Sequence, residues 1–119
     1  MIIAHGPIGY LITRAAKRWW GKYNFSSRQQ LMLLVTGTIG AMIPDLDLFY
    51  FYFIDATVAH RQLLTHSFII YFCIVAVGLL LLLARRPWWA WLTVIFGLGG
   101  VVHILADMYT GEAAALAPL

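Results

Sequence analysis

"SFIIYFCIVAVGLLLLLARRPWWAWLTVIFGLGGVVHILA", residues 67–106, is two apolar runs joined by Arg85-Arg86-Pro87. A helix of roughly 20 mainly apolar residues crosses a bilayer. Residues 67–84 and 88–106 come close to that length and carry no Asp, Glu, Lys or Arg. So short a linker leaves them one arrangement, an antiparallel helical hairpin. Trp88, Trp89 and Trp91 at the bend suit the aromatic belt of a membrane interface.

The rest of the chain agrees with that beginning. Of its 119 residues 62% are hydrophobic and 11% charged, and the mean hydropathy is +0.82. A soluble domain carries about 25% charged residues, so this chain cannot clothe a water-facing surface. The formal net charge is +3, but the basic residues form no soluble basic face, so nucleic acid is excluded as a partner and the lipid bilayer is the expected one. A single cysteine, Cys73, lies in an apolar run and rules out an internal disulfide. No small-residue cleavage site follows a short apolar region near the start, so residues 1–20 read as a retained helix.

Two further helices complete the expected fold, an all-α integral membrane bundle of four short spans forming one domain over residues 1–119. Residues 27–43 follow Ser26, a fitting N-cap, and Gln29 completes a capping box. Gly37 and Ala41 have the spacing that lets helices approach closely, and Gly97 and Gly100 serve the same end on the last helix. Residues 2–20 are apolar only to Thr13. They span if Arg14, Lys17 and Arg18 reach the interface, and otherwise lie along the membrane surface.

Charge placement sets the direction. Arg14, Lys17, Arg18, Lys22 and Arg28 fall in or beside the first connection, and Arg85 and Arg86 in the third. Positive residues gather on the cytoplasmic side, which predicts four spans with both termini outside and leaves only Arg61 on the outer side. That topology collects His5, Asp45, Asp47, His60, His66, His103 and Asp107 in one outer layer. Asp55 shares this side without a partner by spacing, and Glu112 reads as a solvated tail residue.

Ionisable groups at membrane depth cost a few kcal/mol each, so such a layer points to function. His103 and Asp107 are four apart in "HILAD" and lie on one helix face. The pair is either a two-ligand metal unit or an internal hydrogen bond. Asp45 and Asp47 follow Pro44, where the chain is expected to leave helical geometry; they are site residues or a solvated helix end. Thr65 and Ser67 either cap the third helix or flank a site at His66. Mixed imidazole and carboxylate donors suit zinc, with manganese second. Candidate metal ligands are therefore His5, Asp47, His60, His66, His103 and Asp107. Asp45 or Asp47 is the candidate proton acceptor for a metal-activated water. Arg61 is either a phosphate contact or a headgroup anchor.

"PDLD" (44–47), "HR" (60–61) with "THS" (65–67), "HILADM" (103–108) and an early histidine in "AHGPIGYL" (4–11) resemble the YdjM-type family of membrane-bound proteins, inferred to be metal-dependent hydrolases. The resemblance spans the whole chain and implies a multi-span inner-membrane protein with a metal site. "HRQLLTHS" departs from the family's usual His-Arg-Gly-x-Thr-His-Ser by one extra residue and a missing glycine. The short "YTGEAAALAPL" after "HILADM" lacks the family's Pro-Gly turn, a departure that leaves a single-metal or an inactive member as the alternatives. A weaker likeness in residue order, to zinc-dependent phospholipase C and P1-type nucleases, implies His5, Asp47 or Asp45, His66, His103 and Asp107 as ligands. The leading expectation is a membrane-bound hydrolase of a phosphoester in a lipid or lipid-linked substrate. A metal or proton carrier is one rival, disfavoured because the polar groups form a single layer. A non-catalytic membrane protein with a structural metal is the other.

Overall fold

The computed structural model describes residues 2–54 and 64–109, and within them every regular element is a helix. The elements run α1 (Ile2–Ala15), α2 (Lys17–Trp20), α3 (Ser27–Met42), α4 (Asp47–Phe53), α5 (Phe68–Leu83) and α6 (Pro87–Tyr109). Short 3-10 turns occupy Gly21–Tyr23, Ile43–Leu46 and Leu64–His66.

The hairpin of α5 and α6 forms for a local reason. The Arg86 N–H donates to the Leu81 carbonyl (2.9 Å) and the Arg85 N–H to the Leu82 carbonyl (3.0 Å). That is the paired capping pattern that closes a helix through one left-handed residue. The residue in the left-handed position is Arg85 (φ 56°) where glycine is usual, and Pro87 then starts α6 with its φ already set. The helix expected over 88–106 runs on to Tyr109, so Asp107 lies within it.

The helix expected over 2–20 is broken at Ala16. The indole N–H of Trp20 donates to the Thr13 carbonyl (3.2 Å) and ties α2 to the end of α1 across the break. The capping box of α3 forms as expected. Ser26 accepts from the Gln29 N–H, and the Gln29 side chain accepts from the Ser26 N–H. At Pro44 the chain tightens into a 3-10 turn and then resumes as α4. Ser67 precedes α5 without a capping bond from its side chain.

Glycines bring α1, α3 and α6 together. A methyl on Gly9 would strike the Gly37 carbonyl and Ala41 of α3, and one on Gly40 would strike the Phe96 backbone of α6. Gly97 and Gly100 instead admit α5, through Val75 and Tyr71. The helices pack as α1 on α3, α3 on α6 and α6 on α5. One buried cluster, Trp20, Leu33, Trp91, Val94 and Ile95, fills the end near the α5–α6 turn, and Tyr71, Val101 and Ile104 fill the other.

Among the described residues two helical stretches are long and apolar enough to cross a membrane, Ser27–Phe53 and Pro87–Tyr109; α5 is a shorter apolar helix of 16 residues. Ile69, Phe72, Val77, Leu79, Leu80 and Leu83 of α5 are all exposed. A helix with so much bare apolar surface is at home in lipid rather than water.

Candidate metal centre

Alternating helix direction carries the polar residues to one end. His5 lies near the start of α1, and Asp45 and Asp47 follow the end of α3. His66 precedes α5, and His103 and Asp107 lie toward the end of α6. His5, Asp47, His66, His103 and Asp107 are each no more than 3% exposed. Asp45 is the most open of the set, its side chain 13% exposed.

The 3-10 turn at Pro44 separates the two aspartates. Asp45 faces α1 and α6, its Oδ2 3.2 Å from His5 Nδ1 and its Oδ1 3.5 Å from His103 Nε2. Asp47 faces the start of α5, its Oδ2 2.7 Å from His66 Nδ1. Asp107 stands in the middle. Its Oδ1 is 3.2 Å from His5 Nε2, and its Oδ2 is 3.5 Å from both His66 Nε2 and His103 Nε2. The His5 and His103 rings lie 3.8 Å apart by centroid. His66 is steadied from α5, where the Tyr71 hydroxyl donates to the Thr65 carbonyl (2.9 Å).

His103 has its tautomer set by the backbone. Its Nδ1 lies 2.7 Å from the Ala41 carbonyl, which can only accept, so Nδ1 carries the proton. Nε2 therefore presents a buried lone pair, with no hydrogen-bond donor among the described residues, toward the oxygens of Asp45 and Asp107. A lone pair aimed at two carboxylates is repulsive until a cation or a proton lies between them. His5 raises the same question, since a neutral imidazole has one N–H to give and both its nitrogens face carboxylates.

Burial is the main influence on His66. Desolvation lowers its pKa from 6.5 to about 4, assisted by the neighbouring His103 and opposed by Asp107 and Asp45. The ring is thus neutral at pH 7, the form in which histidine binds metals.

Among the described residues, one donor atom each from Asp45, His66, His103 and Asp107 lies within 4.8 Å of the others. This is a possible metal-binding group, and it draws on "PDLD", "THS" and "HILAD" together. The chain belongs to the YdjM inner membrane protein family. The family's model matches residues 1–119, the whole chain. No curated protein and no solved structure matches it.

In this YdjM-family chain the sequence candidates fall in three places. Asp45, His66, His103 and Asp107 make the close group. His5 bridges Asp45 and Asp107, and Asp47 contacts the far side of His66. His60 and Arg61 lie outside the described residues, as do Asp55 and Glu112. Sequence reasoning missed the Ala41 carbonyl, since a backbone acceptor has no residue signature. Gly99 and Gly40, which bring α6 against that turn of α3, were its one available sign. The Thr65 hydroxyl beside His66 is buried and has no hydrogen-bond partner among the described residues, which sequence pattern alone does not indicate.

Proposed function

We propose that this protein is a membrane-bound, metal-dependent hydrolase acting on a phosphoester of a lipid or lipid-linked substrate. The observation that carries the reading is the buried His103 Nε2, its lone pair held by the Ala41 contact toward the oxygens of Asp45 and Asp107. A divalent cation resolves that repulsion, and the donors fit one. His66, His103 and Asp107 would supply two imidazoles and a carboxylate, the donor pattern of catalytic zinc sites that keep a position open. Zinc is the best match and manganese the second. Asp47 behind His66 and the Ala41 carbonyl behind His103 are the outer partners that orient such ligands.

Bound there, the ion supplies Lewis acidity toward water and an ester oxygen. Asp45, the most open carboxylate, takes a proton from the attacking water. The water oxygen bonds to phosphorus, the bond from phosphorus to the alcohol oxygen breaks, and Asp45 returns the proton to the departing alcohol. Arg61 has the planar fork that suits the phosphate oxygens. In the membrane we read four spans with both termini outside, which puts the centre at the outer face of the inner membrane, level with lipid headgroups.

Elemental analysis of purified protein beside His103→Ala tests the site, with one equivalent of metal expected in the wild type and loss in the variant. Phosphodiester cleavage with and without a chelator tests the activity, and turnover indifferent to the chelator refutes it. One observation favours a second reading. Asp45 is close enough to join the other three donors, and four protein ligands would close the coordination shell as in a structural site. Chelation would then unfold the protein, and no ester would be cleaved.

A further inference from the structure

The kink at Pro44 has a second consequence. Where α4 turns away from α3 a groove of about 790 Å³ opens, within the range of roughly 300–1,000 Å³ usual for small-molecule sites. Its walls include Ile39, Met42, Leu46, Tyr52 and Phe53, and among the described residues its one charged lining residue is Asp45. Asp45 is also a member of the metal-binding group, so a single carboxylate joins an apolar trough to a polar centre. The trough is open to the outside, with Ile39, Met42, Leu46 and Phe53 all exposed.

We propose that this groove holds the hydrocarbon chain of an amphipathic phosphate ester whose phosphate lies at the Asp45 end. The proposal rests on the metal-site reading above and adds to it the place where the substrate's hydrocarbon chain is held. Among the described residues a phosphate at this end would face the carboxylates of Asp45, Asp47 and Asp107 and no Lys or Arg, so a cation between them is what makes its binding favourable. A bare hydrocarbon has no such requirement. Occupancy by the amphiphile therefore depends on both ends at once, which separates it from ordinary contact with lipid tails.

The test uses the full-length protein in phosphatidylcholine nanodiscs, loaded with zinc or stripped of it. The probe is hexadecyl phosphate bearing a photoactivatable diazirine on its chain, with labelled residues mapped by mass spectrometry. Zinc-loaded protein should carry at least tenfold more label on Ile39, Met42, Leu46 and Phe53 than on Leu79 and Leu80 of the exposed α5 face. Unlabelled hexadecyl phosphate should displace the groove label, and hexadecane should not. Stripping zinc should remove the preference. Equal labelling of groove and α5, or displacement by hexadecane with zinc irrelevant, overturns the proposal. So does a groove found covered by a second copy of the chain in cross-linked dimers.

Turnover separates this from failure of the hydrolase reading. Leu46→Trp, which fills the trough, should lower cleavage of hexadecyl relative to methyl para-nitrophenyl phosphodiester at least tenfold with metal content unchanged. Leu79→Trp is the control and should leave the ratio alone. An unaltered ratio in Leu46→Trp overturns the groove while leaving the hydrolase standing. Zinc-dependent labelling without cleavage of either ester supports the groove and removes the hydrolase.

Discussion

Gly99 of α6 offers the sharpest test of the link between helix packing and the metal centre. A methyl group there would come within 2.7 Å of the Ala41 nitrogen and the Gly37 carbonyl oxygen, and within 2.9 Å of the Gly40 carbonyl carbon. These are backbone atoms of α3 and cannot rotate aside. Reaching ordinary contact, which begins at 3.4 Å, requires the helices to part by about 0.7 Å. His103 lies one turn further along the same helix, with its Nδ1 2.7 Å from the Ala41 carbonyl. Carried by the same displacement, that separation grows to about 3.4 Å, beyond the usual range of an N–H···O bond. The ring then loses its fixed tautomer. Overpacking costs about 1–3 kcal/mol, offset by about 1 kcal/mol from replacing glycine in a helix. Loss of an outer partner of a metal ligand typically costs 10–100-fold in affinity. Gly99→Ala should therefore weaken zinc binding 10–100-fold while lowering stability by no more than about 2 kcal/mol. Zinc titration against a chromophoric chelator in detergent micelles, beside thermal unfolding, measures both. Gly21→Ala is the control, because among the described residues a methyl there meets only Lys17 Cγ, at 3.6 Å. A Gly99→Ala protein that is destabilised yet binds zinc within twofold of the wild type would refute the reasoning.

Asp47→Asn removes the charge behind His66 at the 2.7 Å contact and should weaken zinc affinity 10–100-fold with stoichiometry unchanged at saturating zinc; a lower stoichiometry would make Asp47 itself a ligand. The metal-free protein should lose stability as pH falls. The unfolded His66 ring takes a proton near 6.5 and the buried ring only near 4, so the unfolded state binds the extra proton between those values. Thermal unfolding should thus shift down between about pH 6.5 and 4, with little His66 contribution above that window, and His66→Gln should reduce the slope. Arg85→Gly relieves the left-handed strain at φ 56° and should stabilise the hairpin by about 1 kcal/mol, read as a raised unfolding temperature; a fall would show that the Arg85 side chain contributes more than its backbone costs.

Apolar run length and capping chemistry are local, so the four principal helices and their order were legible in the residue pattern. Arg85-Arg86-Pro87 marked the hairpin, and Ser26 with Gln29 marked the start of α3. The four-residue spacing of His103 and Asp107 put them on one face of α6. The pattern also indicated that His5, the Pro44-flanked aspartates, His66 and the HILAD pair share one end, since helices joined by short connections must alternate in direction. What local pattern could not supply were the breaks at Ala16 and Pro44, which depend on the reach of the Trp20 indole to Thr13 and on how α4 leaves α3. Nor could it say which nitrogen meets which oxygen. Asp45 and Asp47 are two residues apart in sequence and face different histidines because a 3-10 turn rotates one away from the other. The Nε2 lone pair of His103 depends on a backbone carbonyl 62 residues earlier. That carbonyl is within reach only because Gly40 and Gly99 let two helix backbones nearly touch. Tertiary structure decided those pairings, since a distance between residues far apart in the chain is set by how closely their helices pack.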